Sequence, residues 1–461
     1  MTDPDVDGVD EALALVGRPP QTARPGGDPH QEGRHGSPWS RARDIAARAG
    51  RTAPVRTVRV PLEQALGQVL AEPLTALTDL PSFDTSAMDG WAVAGPGPWK
   101  IRAGDSVLAG HDALPALPDG TAVRIATGAR VPPDTTAVIR TEHARVQPGR
   151  TEQHLHALRE VVPGQDIRPR AQECRTGDEL LPAAVLATPA VLGMAAAAGY
   201  DELVTVEPPR VEVLVLGDEL LTSGVPHDGL IRDALGPMLG PWLRALGADV
   251  IAVRRVGDDA EALYEAVTGT AADLVVTTGG TASGPVDHVH PVLHRAGAEL
   301  LVDGVQVRPG HPMLLARLEA PREAPVEASR EAPGTDRPQH RHPPRAPHRH
   351  LVGLPGNPLA AVSGLLTLAE PLLRESTGRR TPEPYRLPVR DAVHGHPHDT
   401  RLVPVVRRAA EAVPLHYNGP AMLRGLATAD GLAVVPPGGA RPGDELEILA
   451  LPWATTPGGF T

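Results

Sequence analysis

The sequence predicts a multidomain α/β protein: an α-rich domain with an inserted β domain, then a doubly wound α/β domain, then a small C-terminal β domain. Three observations predict it. The length of 461 residues corresponds to about three domains at ~150 residues each. From Val211 onward, apolar runs alternate with amphipathic stretches at βαβ spacing. Between residues 81 and 160, and again beyond 382, short strand-like runs alternate with Gly, Pro and Asp turns.

Composition narrows the function. There are 48 glycines and 52 prolines against five Trp, four Tyr and two Phe, so turns are numerous and the core leans on Val, Leu and Ala. So few rings argue against stacking-based nucleic-acid binding. A net charge of -12 leaves no general footprint for a polyanion, so an anionic ligand needs a local site. The lone cysteine, Cys174, excludes an intramolecular disulfide and a multi-cysteine zinc site, and fits a reducing compartment. With no apolar leader-like segment and no run of about 18 apolar residues, a soluble cytoplasmic protein without membrane or nucleic-acid partners is expected.

Residues 1–38 lack hydrophobic periodicity and bury too little apolar surface to offset ordering entropy, which predicts a disordered tail. Residues 39–80 and 161–205 form the α-rich domain, with a helix around Ala42, Ile45 and Ala46, a strand at Val55–Val60, a helix at Leu62–Leu70 and another at Pro189–Ala198. Residues 81–160 are the inserted β domain, with strands near Trp91–Val93 and Ala122–Ile125. In 206–381 the strands Val211–Leu216, Val250–Val253 and Leu274–Thr277 alternate with helices near Ala234–Leu246 and Glu261–Val267, as in a parallel sheet covered on both faces. The Pro-, Arg-, Glu- and His-rich stretch 319–350 reads as a disordered insertion, after which Leu351–Leu354 and a long apolar helix resume the domain. Residues 382–461, with strands at Gly431–Val435 and Glu445–Leu449, form the terminal β domain.

In open α/β sheets the ligand lies beyond the carboxyl ends of the strands. There this sequence places Gly217, Asp218 and Glu219, then Gly279 and Gly280, then Pro355, Gly356, Asn357 and Pro358. Asn357 with Pro358 is a helix start in form, and a Gly-containing strand-to-helix turn also offers backbone N–H groups to a phosphate or oxyanion. No GxGxxG or Walker lysine motif is present, which argues against ordinary dinucleotide or P-loop binding. Asp258, three residues before Glu261, reads either as a helix cap or as an acidic site residue. Asp287 has no cap or pairing pattern, and with Glu219 it could hold Mg²⁺, which uses one or two carboxylates plus substrate oxygens. Asp84 to Gly90 and Thr127-Gly128 read as turns.

These signals together resemble a known family. Leu80-Pro81-Ser82-Phe83-Asp84-Thr85-Ser86-Ala87-Met88-Asp89-Gly90-Trp91-Ala92-Val93 is similar to the hallmark of the molybdopterin molybdenumtransferases, a family that includes the C-terminal domain of gephyrin. Arg124 to Ala129, Ile167 to Arg170, Gly217 to Leu220, Thr278 to Asp287, Leu354 to Pro358 and Met422 to Pro436 follow in the family's order, so the resemblance spans residues 39 to 455. It implies an elongated homodimer whose α/β domain binds molybdopterin and whose last domain is a small β-barrel. It also implies Mg²⁺-dependent release of AMP from adenylylated molybdopterin with insertion of molybdate, in contact with a molybdopterin adenylyltransferase and apo-molybdoenzymes.

Carried over by position, the resemblance makes Asp89, Thr127, Asp258 and Asp287 catalytic, with Asp89 and Thr127 reaching the site from the partner subunit. Glu219 and Asp287 become metal-associated. Gly217, Asp218, Gly279, Gly280, Ser283, Arg308, His311 and Pro355 to Pro358 become substrate-binding. Arg308-Pro309-Gly310-His311-Pro312 matches a Lys-Pro-Gly-x-Pro segment that resembles a molybdate-binding region, with Arg for Lys. Val215-Leu216 replaces a Ser-Thr pair, Ala234-Leu235 replaces Ser-Asn, and Ala282 replaces a serine that adjacent Ser283 could supply. These losses keep two alternatives open: an adenylyltransferase-like enzyme, which the flanking domains disfavour, and a low-activity molybdopterin-binding scaffold.

Overall fold

The computed structural model describes residues 36–453 apart from 109, 111–114, 149–151, 283–286, 320–347 and 380–382. The α/β domain is built on a six-stranded sheet in the order Asp249–Val256, Arg210–Leu216, Leu274–Thr278, His348–Leu354, Leu314–Glu319, Glu299–Asp303. The first four strands are parallel, and Leu314–Glu319 runs antiparallel between His348–Leu354 and Glu299–Asp303. Strand alternation divides the core. Val211, Val213 and Val215 pack under the helices Leu235–Ala245 and Pro358–Ser376, whereas Leu214, Val275 and Leu351 pack under Ala260–Gly269 and Val289–Arg295. The helix after Pro358 carries a π-turn at Leu365–Ala369.

The helix Trp39–Arg51 packs in this core rather than with the α-rich domain where the sequence reading put it. Ala42, Ala46 and Ala49 form a narrow buried stripe against Leu372 and Leu373, and the Trp39 indole donates to Thr367 Oγ1 at 3.1 Å. The helical periodicity was legible; the partner of a stripe of alanines was not. The predicted helix Leu62–Leu70 is instead a single turn at Leu62–Gln64 followed by a strand at Val69–Leu70, because Gly67 takes a left-handed φ of +77° that ends helical continuation. That strand and Thr57–Pro61 flank Glu202–Val206, and Pro189–Ala197 is a helix.

The inserted β domain is a six-stranded sheet, ordered Ala144–Pro148, Gln153–Ala157, Trp99–Val107, Thr121–Ile125, Gly90–Val93, Ala137–Arg140. The C-terminal strands Thr400–Arg408, Gly431–Val435, Glu445–Ala450 and Arg386–Pro388 pair in that order. Glu411–Pro414 pairs with Thr400–Arg408, and a bridge between Val389 and Ala412 closes the set into a small barrel around Val403, Ala433 and Ile448. Val305–Arg308, from the α/β domain, joins the edge of this barrel sheet beside Thr400–Arg408.

Two expected disordered stretches end differently. The tail 1–38 lies outside the described residues up to residue 35, but Ser37–Pro38 forms a strand against Val305–Gln306, a main-chain pairing that needs no apolar periodicity. Most of 319–350 also lies outside the described residues. At its ends, Glu319 and His348 pair in the central sheet. Arg349 and His350 are buried there, with Arg349 donating to the carbonyls of Thr268 and Thr270, so hydrogen bonds hold a polar strand end that hydropathy assigned to a loop.

Candidate functional site

Most of the candidate residues fall into two clusters, with Arg308 and His311 standing apart from both. In the β domain, Thr127 donates both its backbone N–H (2.6 Å) and its hydroxyl (2.8 Å) to Asp89 Oδ1. These two bonds, the backbone one first, hold the Asp89 carboxyl below its usual range despite some desolvation, and the charge of Arg124 adds to the effect. Arg124 lies over the Trp91 indole at 5.4 Å. The loop leading to Asp89 is pinned on both sides: Ser86 bonds to Ala129 and Gly128, and Ala87 N–H donates to the carbonyl of Asp166. The Asp166 carboxylate in turn grips Arg140 through two bonds of 3.0 Å. A turn-like reading of Asp84 to Gly90 therefore understated a fixed carboxylate with one oxygen committed to Thr127.

The second cluster lies along the carboxyl edge of the parallel strands. Gly217, at φ +126°, folds the chain so that the Glu219 carboxylate lies against the Gly217 Cα, closer than a side chain there would permit. Asp218 N–H points to Asp258 Oδ2 at 3.4 Å, and the Asp218 carboxylate lies against Gly257. Asp258 is not the helix cap. Asp259 caps Ala260–Gly269, accepting from Glu261 and Ala262, while Glu261 pairs with Arg295 instead of closing a capping box. The cap reading of Asp258 is thus overturned, and its carboxylate is met by the Asp218 amide instead.

Gly279 and Gly280 are both left-handed, and Gly279 N–H bonds the carbonyl of Leu354, which ties this turn to the Pro355–Pro358 turn. Asn357 occupies the cap position and Pro358 the first helical position, as expected, but the Asn357 side chain makes no capping bond. The carbonyl of Pro420, from the C-terminal domain, accepts instead from Leu359 and Ala360. Those two amides are thereby committed, so the helix start offers an anion less than the sequence implied. Ser283 lies outside the described residues, whereas Asp287 is described, half-buried and two residues before Val289–Arg295.

Arg308 and His311 stand at the barrel junction. Arg308 Nε donates to Asp399 Oδ2 at 2.7 Å. His311 Nδ1 lies 2.7 Å from the carbonyl of Val305, so this nitrogen carries the proton and Nε2 of the neutral ring holds a lone pair. A cleft of about 600 Å³ beside Trp99, His156 and Arg159 contains none of these residues and no carboxylate, so it is separate from the chemistry. Asp259, Pro420 and Asp399 were missed from sequence. The first was masked by its neighbour Asp258, and the other two act from a distant segment.

Fold and site define a multidomain protein organised around a doubly wound α/β domain with its candidate residues at the carboxyl edge of the sheet. Residues 38–199 match the MoeA N-terminal region covering its first two domains, 212–375 a probable molybdopterin binding domain, and 386–451 the MoeA C-terminal region. The chain belongs to the MoeA family. It is 33% identical over 408 residues to molybdopterin molybdenumtransferase 2 of Mycobacterium tuberculosis, covering 83% of this chain and 91% of that one. A molybdopterin molybdenumtransferase of Nostoc is 29% identical over 416 residues, covering 85% and 88%. The fold matches a crystal structure of a molybdopterin biosynthesis MoeA protein from Pyrococcus horikoshii with a TM-score of 0.68 at 23% identity, covering 90% and 98%.

Proposed function

We propose that the chain inserts molybdate into adenylylated molybdopterin with Mg²⁺-dependent release of AMP. Molybdopterin molybdenum transfer is the activity its family carries; the substrate forms, the metal and the residue roles are our reading. One observation carries it: neighbouring loops at one sheet edge bring together Asp218, Glu219, Asp258, two left-handed glycines and the Pro355–Pro358 turn. Phosphate and molybdate are both anions, so joining them requires cations and amide dipoles aimed at one volume.

Among the described residues no three carboxylate, imidazole or thiol groups gather to hold a metal by themselves. Mg²⁺ takes one or two carboxylates and completes its shell with water and substrate oxygens, and we assign Glu219 and Asp287 to it. When bound, the ion would neutralise phosphate charge as the AMP bond breaks. Asp258 and Asp218 hold the loop beside it, Gly279 and Gly280 allow close approach of the ligand, and Arg308 faces the oxyanion. His311 spends Nδ1 on the Val305 carbonyl, which leaves Nε2 as the ring nitrogen available to a ligand.

Asp89 and Thr127 bond within the β domain, and we assign their contact with substrate to a homodimer. The helix Pro189–Ala197 supports this, because it is apolar all round yet exposes Pro189, Ala190, Gly193, Ala196 and Ala197, with exposed Leu66, Leu77 and Leu186 flanking it. Work in the cytoplasm, beside a molybdopterin adenylyltransferase and apo-molybdoenzymes, follows from the same reading. Among the described residues no helix is long and apolar enough to cross a membrane.

The test is AMP release from adenylylated molybdopterin with Mg²⁺ and molybdate, read also as activation of an apo-molybdoenzyme. Wild-type protein should release AMP, and Asp287→Asn should abolish Mg²⁺-dependent release while the melting temperature holds. Full activity in that variant removes the metal role of Asp287. A second reading, binding without turnover, is favoured by Val215, Leu216, Ala234, Leu235 and Ala282, which leave the pocket short of hydroxyls. Intact substrate bound without AMP release would establish it.

A further inference from the structure

Arg308 ends the strand Val305–Arg308, which lies parallel to Thr400–Arg408 with Arg308 opposite Arg401. This pairing brings Asp399, at the start of the barrel strand, beside the Arg308 side chain. Asp399 is buried and the Arg308 side chain is 50% exposed, with Nε held by Asp399 Oδ2 at 2.7 Å. His396 Nδ1 lies 3.3 Å from the same oxygen but already accepts the backbone N–H groups of Asp399 (2.9 Å) and His398 (3.3 Å). A nitrogen that accepts cannot also donate, so the ring is not the donor that the carboxylate uses. Arg401 directs its own guanidinium to the carbonyl of His394.

We propose that Asp399 is a positioning residue: from the C-terminal barrel it clamps Nε of Arg308 and so aims the two terminal nitrogens at the molybdate oxyanion. The inference rests on the reading of the 308–312 segment as an oxyanion site. A guanidinium has five donors in a rigid fork, so a carboxylate can take one edge while the other still chelates an oxyanion. Lysine gathers three donors on one freely rotating nitrogen, so it has no second rigid edge for a carboxylate on the first edge to aim. Arginine at this position, where the resembling family segment has lysine, is thus matched to a carboxylate in another domain.

The clamp has an electrostatic cost that makes the test decisive. If Asp399 were only a counter-charge, its removal would strengthen anion binding; if it orients Arg308, its removal weakens binding. The measurement is calorimetric titration of the full-length chain with sodium molybdate, together with the KM for molybdate in AMP release. We expect Asp399→Ala to raise both constants about tenfold, the worth of roughly one charge-assisted hydrogen bond, with a much smaller change in kcat. Asp399→Asn keeps an acceptor for Nε and should restore binding to wild-type strength or better. Arg308→Lys, which preserves both charges, should lose about the same tenfold because an ammonium drawn to Asp399 offers no planar second edge to chelate the oxyanion.

Equal or tighter molybdate binding in folded Asp399→Ala overturns the proposal. If that variant fails to fold, wild-type affinity in Arg308→Lys does so instead. Wild-type protein that binds no molybdate at all overturns the oxyanion reading beneath it, and the two failures are thereby distinct.

Discussion

The carboxylate of Asp89 is held through one oxygen by two donors of a single residue, and this leaves its other oxygen to face whatever approaches. Thr127 supplies both bonds, and they hold the carboxyl below its usual range. Thr127→Val removes the hydroxyl but keeps the backbone donor. We expect kcat/KM for AMP release to fall about tenfold, while thermal melting is unaffected because both residues are exposed. An unchanged kcat/KM would mean that the hydroxyl does not set the carboxylate's geometry. The pairing itself was not legible in sequence, where Asp89 and Thr127 are 38 positions apart in two turns and only their resemblance to family motifs linked them. At Asp258 the difficulty was local: two adjacent aspartates precede one helix, and spacing alone does not say which backbone amides each one reaches.

At the scale of elements, that same helix distinguishes a capping carboxylate from the candidate site carboxylate beside it. Asp259→Ala should lower stability by about 1 kcal/mol through loss of the cap, read by urea unfolding, with activity retained. Asp258→Ala should do the reverse, since among the described residues its carboxylate meets the Asp218 amide rather than a helix end. The strand His348–Leu354 carries a second consequence. Burial first, then the charges of Arg317 and His348, lower the His350 pKa from 6.5 to about 4. The folded state therefore favours the neutral ring, so this contribution is complete above pH 6.5 and is lost as pH falls from 6.5 toward 4. Between pH 7 and pH 5 the loss from this residue is about 2 kcal/mol. Unfolding of His350→Leu over that interval should show a correspondingly flatter pH dependence; an identical slope would place the acid sensitivity elsewhere. Sequence put His350 in a disordered tract because its neighbours are polar, and hydropathy does not register a sheet partner on either side.

For the whole molecule, the parallel sheet, its strand-end loops and the inserted β domain were legible because apolar runs and turn residues act locally. The sharing of elements between domains was not. Trp39–Arg51 joins the α/β core, Val305–Arg308 joins the barrel sheet and Pro420 completes a helix in another domain, each through contacts that leave no periodic trace. The same argument applies to the gap between the two candidate clusters, whose described hydrogen bonds stay within separate domains. A two-fold dimer uses one surface patch twice, so it would bring the β domain of one subunit to the sheet edge of the other at two equivalent sites. This arrangement makes a quantitative prediction. Asp89→Asn and Asp287→Asn homodimers should each be inactive, since every site lacks one carboxylate. Mixed and allowed to exchange, half of the dimers would be heterodimers with one doubly defective and one intact site, so AMP release should recover to about a quarter of the wild-type rate. Ala196→Glu, placed on the exposed face of Pro189–Ala197, should prevent both dimer formation in sedimentation and this recovery. Recovery that never rises above the separate variants, in samples shown to have exchanged subunits, would put Asp89 and Asp287 in the site of one and the same chain.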